Sequence, residues 1–350
     1  MHLFDYSFLR KQSVPADLMS RVARIASYSI KEEARKKEFP EVFIGLESIS
    51  RLQSVKGSNA IEGILTTDKR IEEIVSKKSA PLNHDEEDIA GYRDALDIIH
   101  DNHDSMRIDG TTIRDLHRIM LSHSSEDGGA YKKEDNVIIR TDTSGRRYIH
   151  YEPVPAAETE DSMEQMLLAY ADAHSDSRID NLLLTPCFIL DFLCIHPFLD
   201  GNGRMSRLLS LLLMYKGGID VGKYISFEEM INKNKNAYYG ALTQSSKAWH
   251  TNESDYLPFI EQFAGTLFLC YRELDRRFTV VGSKKFIKKN RIEAVVMNSI
   301  TPISKKEILT LLPDVSETTV EAELSRLKSE GVIKMVGQKK GAKYLRTETE

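Results

Sequence analysis

Cross-linking residues and membrane-spanning runs are scarce in this chain. Three cysteines in 350 residues, Cys187, Cys194 and Cys270, make no disulfide framework. They sit in apolar helical contexts without metal-ligand spacing, so buried thiols in a reducing cytoplasm are expected. No apolar run approaches the roughly 18 residues that a bilayer crossing needs. The first ten residues lack a basic region followed by a long apolar stretch, so neither a membrane span nor a secretory leader is expected. Neither sign of charge dominates, with 48 Lys and Arg against 53 Asp and Glu and a net charge of −5. What remains is an ordinary soluble composition, 41% hydrophobic and 29% charged, long enough for about two to three domains.

The charge is unevenly spread. Residues 283–350 hold 14 Lys and Arg against 9 Asp and Glu, a net +5, which leaves the rest acidic and predicts a boundary near residue 282. Before it the pattern is almost entirely helical. Residues 16–37, rich in Arg, Lys and Glu, read as a surface helix. Residues 42–55 place Val42, Ile44, Leu46, Ile49 and Leu52 on a half-buried face, and residues 84–119 read as two helices, the second opening after Asp109. His100, His103, His117 and His123 are scattered without metal spacing and are expected on the surface or in the core. The convincing β segment of this part is residues 136–140, a turn at 142–145 and residues 148–151, which together read as a hairpin.

Chemistry is densest between His196 and Arg207. Residues 186–195 are apolar except for Asp191, and residues 208–214 are nearly all Leu before Gly217 and Gly218, so the motif is a tight loop between two buried helices. Gly201 and Gly203 let backbone N–H groups of the loop and of the new helix's first turn converge at the positive end of its dipole, which makes an anion nest. Arg204 and Arg207 reach phosphate oxygens from the start of the same helix. Asp200 is the hard oxygen ligand that Mg²⁺ takes when phosphates and water hold it otherwise, and His196 accepts a proton near neutral pH. Together these groups point to transfer of a phosphorus group to an incoming hydroxyl.

At these residues, His196-Pro197-Phe198-Leu199-Asp200-Gly201-Asn202-Gly203-Arg204-Met205-Ser206-Arg207, the chain resembles the Fic family at every specified position of its motif. The resemblance covers roughly residues 40 to 265. It implies transfer of AMP from Mg·ATP to a Ser, Thr or Tyr hydroxyl of a target protein. His196 would be the base and Asp200 the Mg²⁺ ligand, with Gly201, Asn202, Gly203, Arg204 and Arg207 around the phosphates. Ser58 to Gly63 fits the family's inhibitory pattern, by which Glu62, with Ser58 opening the pattern, would pair with Arg207 and hold ATP unproductive. The hairpin, with Val137, Ile138 and Ile139, falls where the family has its target-docking flap, and a packed connection is the other reading of it. Tyr239, before Tyr238, would lie beside adenine.

The implied fold is mainly α: residues 1–110 a helical region with the inhibitory segment, 111–282 the catalytic core with its hairpin, and 283–350 a winged helix-turn-helix. In the last, Glu317, Glu321 and Glu323 sit where a groove-reading helix would meet phosphates, so protein docking or self-association is expected ahead of DNA. Rival readings are removal of AMP, transfer of another phosphate-linked group, a DNA-binding regulator that senses nucleotide, and a pure interaction scaffold. The target protein is unknown, and self-modification stays open.

Overall fold

Apolar spacing, caps and two prolines set out a mostly helical framework in this computed structural model, which describes residues 2–11, 13–124, 128–141, 145–281, 288–299, 302–337 and 342–347. Helix α1 (Ala16–Glu38) stops at Phe39, and Pro40 starts α2 (Pro40–Ile61) at the position where a missing N–H costs nothing. The expected surface helix α1 is packed on one side instead. It buries Leu18, Ile25 and Glu32 along the last helix of the core, because its apolar residues recur at helical spacing among the charges.

Helix α2 runs six residues beyond residue 55 and carries the inhibitory segment as its own last turn, with Glu62 as C-cap. Ser50, Ser54 and Ser58 recur every four residues and so share one buried face. Ser50 Oγ donates to the Gly222 carbonyl at 3.0 Å and Ser54 Oγ to the Glu228 carboxylate at 2.8 Å. The stripe fixes the roll of α2, and with it where Ser58 and Glu62 point.

Next come α3 (Asp68–Lys77), α4 (His84–Asn102) and α5 (Gly110–Met120), the last two capped by Asn83 and Asp109 side chains. Strands β1 (Ile138–Thr141) and β2 (Arg147–Tyr151) form the antiparallel hairpin, pairing Ile139 with Ile149 and Arg140 with Tyr148. Strand β1 starts two residues later than expected because the Asn136 side chain is drawn away, donating to the Phe198 carbonyl at 3.1 Å. Val137 therefore precedes the strand. Residues 142–144 of the expected turn lie outside the described residues.

Helix α6 (Ala156–Ser175) leads to the central pair, α7 (Asn181–Ile195) and α8 (Asn202–Lys216). Pro186 lies inside α7, not at its start, and Asp180 caps the helix through the Leu182 N–H at 2.8 Å. Helices α9 (Phe227–Lys233), α10 (Lys235–Ser245) and α11 (Leu257–Val281) close the core, with α2 against α9 and α1 against α11.

The C-terminal part comprises α12 (Lys288–Asn298), β3 (Ile303–Ser304), α13 (Lys305–Leu311), α14 (Glu317–Ser329), β4 (Ile333–Val336) and β5 (Lys343–Arg346). Its antiparallel sheet has the order β3-β5-β4, and Ser304 with Glu307 forms a capping box at the start of α13. Residues 282–287, where the boundary was expected, and 338–341, in the expected wing, lie outside the described residues. Helix α13 rests on α2, where Gln53 Nε2 donates to Glu307 Oε1 at 2.8 Å. Buried apolar side chains form one continuous cluster from Phe4 to Ile333. Among the described residues, no helix is long and apolar enough to cross a membrane.

Candidate active site

Helix α7 ends because His196 turns left-handed, with φ 51° and ψ 60°. That conformation costs a residue with a Cβ about 1–2 kcal/mol, so the surroundings must hold it. The His196 amide donates to the Phe192 carbonyl at 2.9 Å, closing the helix. Burial lowers the imidazole from its ordinary value to about 4. The Lys132 charge adds to this, while the Leu193 carbonyl, Glu62 and Asp200 pull back upward. His196 is therefore neutral at pH 7 and fit to accept a proton.

The loop that follows is braced from within. The Asn202 side chain is buried, accepting from the Phe198 amide at 2.9 Å through Oδ1 and donating to the Phe198 carbonyl at 2.8 Å through Nδ2. Its amide oxygen and one of its two side-chain N–H groups are thus spent on closing the loop. The Phe198 ring stacks on His117, with centroids 3.7 Å apart and planes at 5°. His117 Nδ1 accepts from the Gly129 amide at 2.9 Å, which leaves Nε2–H to donate to the Asp200 carbonyl at 3.1 Å. Burial first, with Arg204 adding to it, lowers His117 to about 4, against the pull of Asp200.

At the start of α8, Gly201 has φ 77° and supplies the left-handed turn that opens the helix. Arg204 is buried and clamped between two carboxylates, Asp88 Oδ1 at 2.5 Å and Asp200 Oδ2 at 2.6 Å. Arg207 is buried too. Its Nε donates to Ser58 Oγ at 2.8 Å, and its Nη2 donates to the Ser58 carbonyl at 3.1 Å and to Glu62 Oε1 at 2.8 Å. The Glu62 carboxylate lies directly over the first turn of α8. A Cβ on Gly203 would stand 2.3 Å from Glu62 Oε1, so the missing methyl is what gives a carboxylate room over the first turn of α8.

Of these groups Glu62, His196 and Gly203 share the wall of a cavity of about 610 Å³ with Ile138, Ile139 and Tyr239, while Ser58, Asp200, Gly201, Asn202, Arg204 and Arg207 do not line it. The Arg140 guanidinium of β1 lies 5.6 Å from the centroid of the Tyr239 ring, across that cavity. Tyr238 is not on the wall. It is buried, edge-on to Phe259 with centroids 5.5 Å apart, because neighbouring helical residues point about 100° apart. Ile139 is 43% exposed and Val137 47% exposed, but only Ile138 and Ile139 of the three expected docking residues border the cavity.

Asp200 keeps its side chain 61% exposed although it pairs with Arg204. Among the described residues, no three His, Cys, Asp or Glu side chains converge to hold a metal ion. A single accessible carboxylate beside an anion nest fits Mg²⁺ that keeps its waters and takes its other ligands from phosphates. Asp88, His117, Lys132 and Asn136 reach this site from three segments far from the motif, His117 having been expected only as a surface or core histidine and Asn136 only as a hairpin residue. Only the polar Lys132 and Asn136, just ahead of the hairpin, left any local trace.

The sequence profile of the Fic/DOC family matches residues 107–214. A Fic family protein from Desulfovibrio desulfuricans G20 has a similar solved structure, with TM-score 0.61 and 19% identity over 97% of this chain and 98% of that one. A Fic domain containing signaling protein from Bacteroides thetaiotaomicron VPI-5482 follows, with TM-score 0.56 and 19% identity over 72% and 95%. At such identities the likeness is one of fold. Among curated proteins, the ribonucleoside-diphosphate reductase small chain of Ostreid herpesvirus 1 (isolate France) is 31% identical over 110 residues, 30% of this chain and 19% of that protein. The chain thus spans about a fifth of the length of that relative. Residues 107–214, which contain the entire His196–Arg207 motif and the hairpin over it, thus match a Fic/DOC family domain, and the fold around them is that of solved Fic family structures.

Proposed function

We propose that the protein transfers AMP from Mg·ATP to a Ser, Thr or Tyr hydroxyl of a target protein and that Glu62 restrains the reaction. The observation that carries this reading is the seat of Glu62, bonded to Arg207 at 2.8 Å on the first turn of α8, in the same cavity as a neutral His196. In the reaction His196 takes the proton of the target hydroxyl as its oxygen attacks the α-phosphorus. The new O–P bond forms while the bond from that phosphorus to pyrophosphate breaks, and pyrophosphate leaves with the electron pair. Mg²⁺, when bound beside Asp200, supplies charge neutralisation on the phosphates.

A phosphate would compete with the Glu62 carboxylate for the forked Arg207 and for the space over the first turn of α8. While Glu62 holds them, the nucleotide is kept from the pose in which its α-phosphorus faces the hydroxyl. Tyr239 offers a ring face to the base, and the outer edge of the hairpin is suited to receive the main chain of an extended target segment. The residues 283–350 unit we read as a winged helix that docks protein. In it Glu317 and Glu321 flank Lys305, at 2.7 and 2.6 Å, near the start of α14, a poor surface for phosphates.

The test incubates wild-type, Glu62→Gly and His196→Ala proteins with Mg²⁺ and α-labelled ATP in a lysate. Label on protein is expected to rise at least about tenfold in Glu62→Gly, which corresponds to ~1.4 kcal/mol, and to vanish in His196→Ala. With His196 near 4, the activity of Glu62→Gly is expected to hold from pH 8 to below 6 and to fall only as the imidazole protonates. Absence of label in every variant that still binds ATP would overturn the reading.

A further inference from the structure

The segment from Lys132 to Asn136, between α5 and the hairpin, grips the loop of His196 at three carbonyls. The Lys132 backbone N–H donates to the Pro197 carbonyl at 2.8 Å. Its Nζ donates to the Ile195 carbonyl at 3.2 Å and to Asn136 Oδ1 at 2.8 Å. Asn136 Nδ2 then donates to the Phe198 carbonyl at 3.1 Å. The peptide group that precedes His196 and the two that follow Pro197 are thereby fixed, around the residue where the left-handed backbone is least able to hold itself. Lys132 is 4% exposed, and among the described residues no carboxylate lies within ion-pair distance of its ammonium. Burial lowers it to about 8, which Asp135 only partly opposes, so it remains a cation at neutral pH. It sits at the C-terminal end of α7, where the helix dipole favours positive charge.

We propose that Lys132 is a positioning residue for His196: its ammonium and backbone N–H, with Asn136, lock the left-handed turn that presents the imidazole to the incoming hydroxyl. This rests on the transfer reaction proposed above. The same cation repels a second positive charge nearby and so disfavours imidazolium. The charged groups facing His196 are Lys132, which opposes its protonation, and Glu62 and Asp200, which favour it. Lys132 touches no reacting atom. Its loss is therefore expected to slow turnover while leaving ATP binding in place.

The experiment places Lys132→Met, Lys132→Arg and Asn136→Ala in the Glu62→Gly background. It measures transfer at saturating ATP, the KM for ATP, and the titration midpoint of the His196 ring by NMR. Lys132→Met is expected to lower kcat at least about tenfold with KM for ATP within about twofold, Lys132→Arg to restore most of the rate, and Asn136→Ala to fall between them. The His196 midpoint is expected to rise towards 6.5 in Lys132→Met and to stay low in Lys132→Arg. An unchanged kcat, a loss carried by KM, or a midpoint that does not move would each overturn the proposal. Should Lys132→Met fail to fold, the Arg and Ala variants decide by the same readings. If no protein transfers label at all, the reaction is wrong, and the NMR midpoint still judges Lys132.

Discussion

Two carboxylates lie close to the catalytic helix and share almost nothing else. Asp191, one turn before His196, is wholly buried and accepts from Tyr6 at 2.7 Å, Trp249 at 2.8 Å and Tyr256 at 2.6 Å. Its donors come from the N-terminal segment, the loop before α11 and that helix's approach, so one carboxylate ties three pieces of chain to α7. Glu62 is 33% exposed, and through Oε1 it meets one partner, Arg207. The first is a buried carboxylate held by neutral donors, the second a partly exposed ion pair. The difference is in how many donors would be stranded if the carboxylate left, which makes the first a rivet and the second a plug.

Breaking the rivet is expected to give the largest effect. Asp191→Ala leaves three buried donors unpaired and is expected to cost about 3–5 kcal/mol of stability, read as a fall in denaturant midpoint with no gain in activity. Burial lifts the Asp191 carboxyl to about 6 although its three donors pull it down. The folded protein thus takes up a proton more readily than the unfolded chain, and the stability this adds is complete below pH 3.8 and lost as pH rises through 6. The gap between wild type and Asp191→Ala is therefore expected to widen as pH falls from 7 to 4.

Pulling the plug is expected to cost far less. Glu62→Gly removes a partly exposed partner from an arginine that keeps both Ser58 contacts, so a loss of roughly 1 kcal/mol is expected, together with the rise in transfer described above. A loss as large as that of Asp191→Ala would erase the distinction. The smallest change is Ser58→Ala, which takes one hydrogen bond of about 1 kcal/mol from Arg207 and leaves Glu62 in place. A rise in activity of only a few fold is expected, measured with the same label.

The parts of the site legible in the sequence are those written contiguously. The His196–Arg207 motif and the Ser58–Glu62 turn were readable because each is a local pattern, and the structure brings Glu62, His196 and Gly203 of them to one cavity. Tyr239 and Tyr238 were adjacent in sequence, and only helical geometry separates the one on the wall from the one in the core. Asp88, His117 and Lys132 were illegible because each acts across more than sixty residues of chain on a backbone carbonyl or a charged side chain of the motif, contacts that no periodicity encodes. Asp191 had a signal, as the lone charge on an apolar helix, and its partners had none. The helices followed from period and caps, whereas the packed side of α1 and the full length of α2 depended on what they lie against.

Gly203 carries a consequence for genetics. The space left by its missing methyl is filled by the Glu62 carboxylate, and in the proposed reaction a phosphate needs the same space. A side chain at 203 would thus close the door on inhibitor and substrate alike. A selection for unrestrained variants by their protein labelling is expected to recover changes at Ser58 and Glu62 and none at Gly203, since restraint and activity cannot be inherited separately through that position.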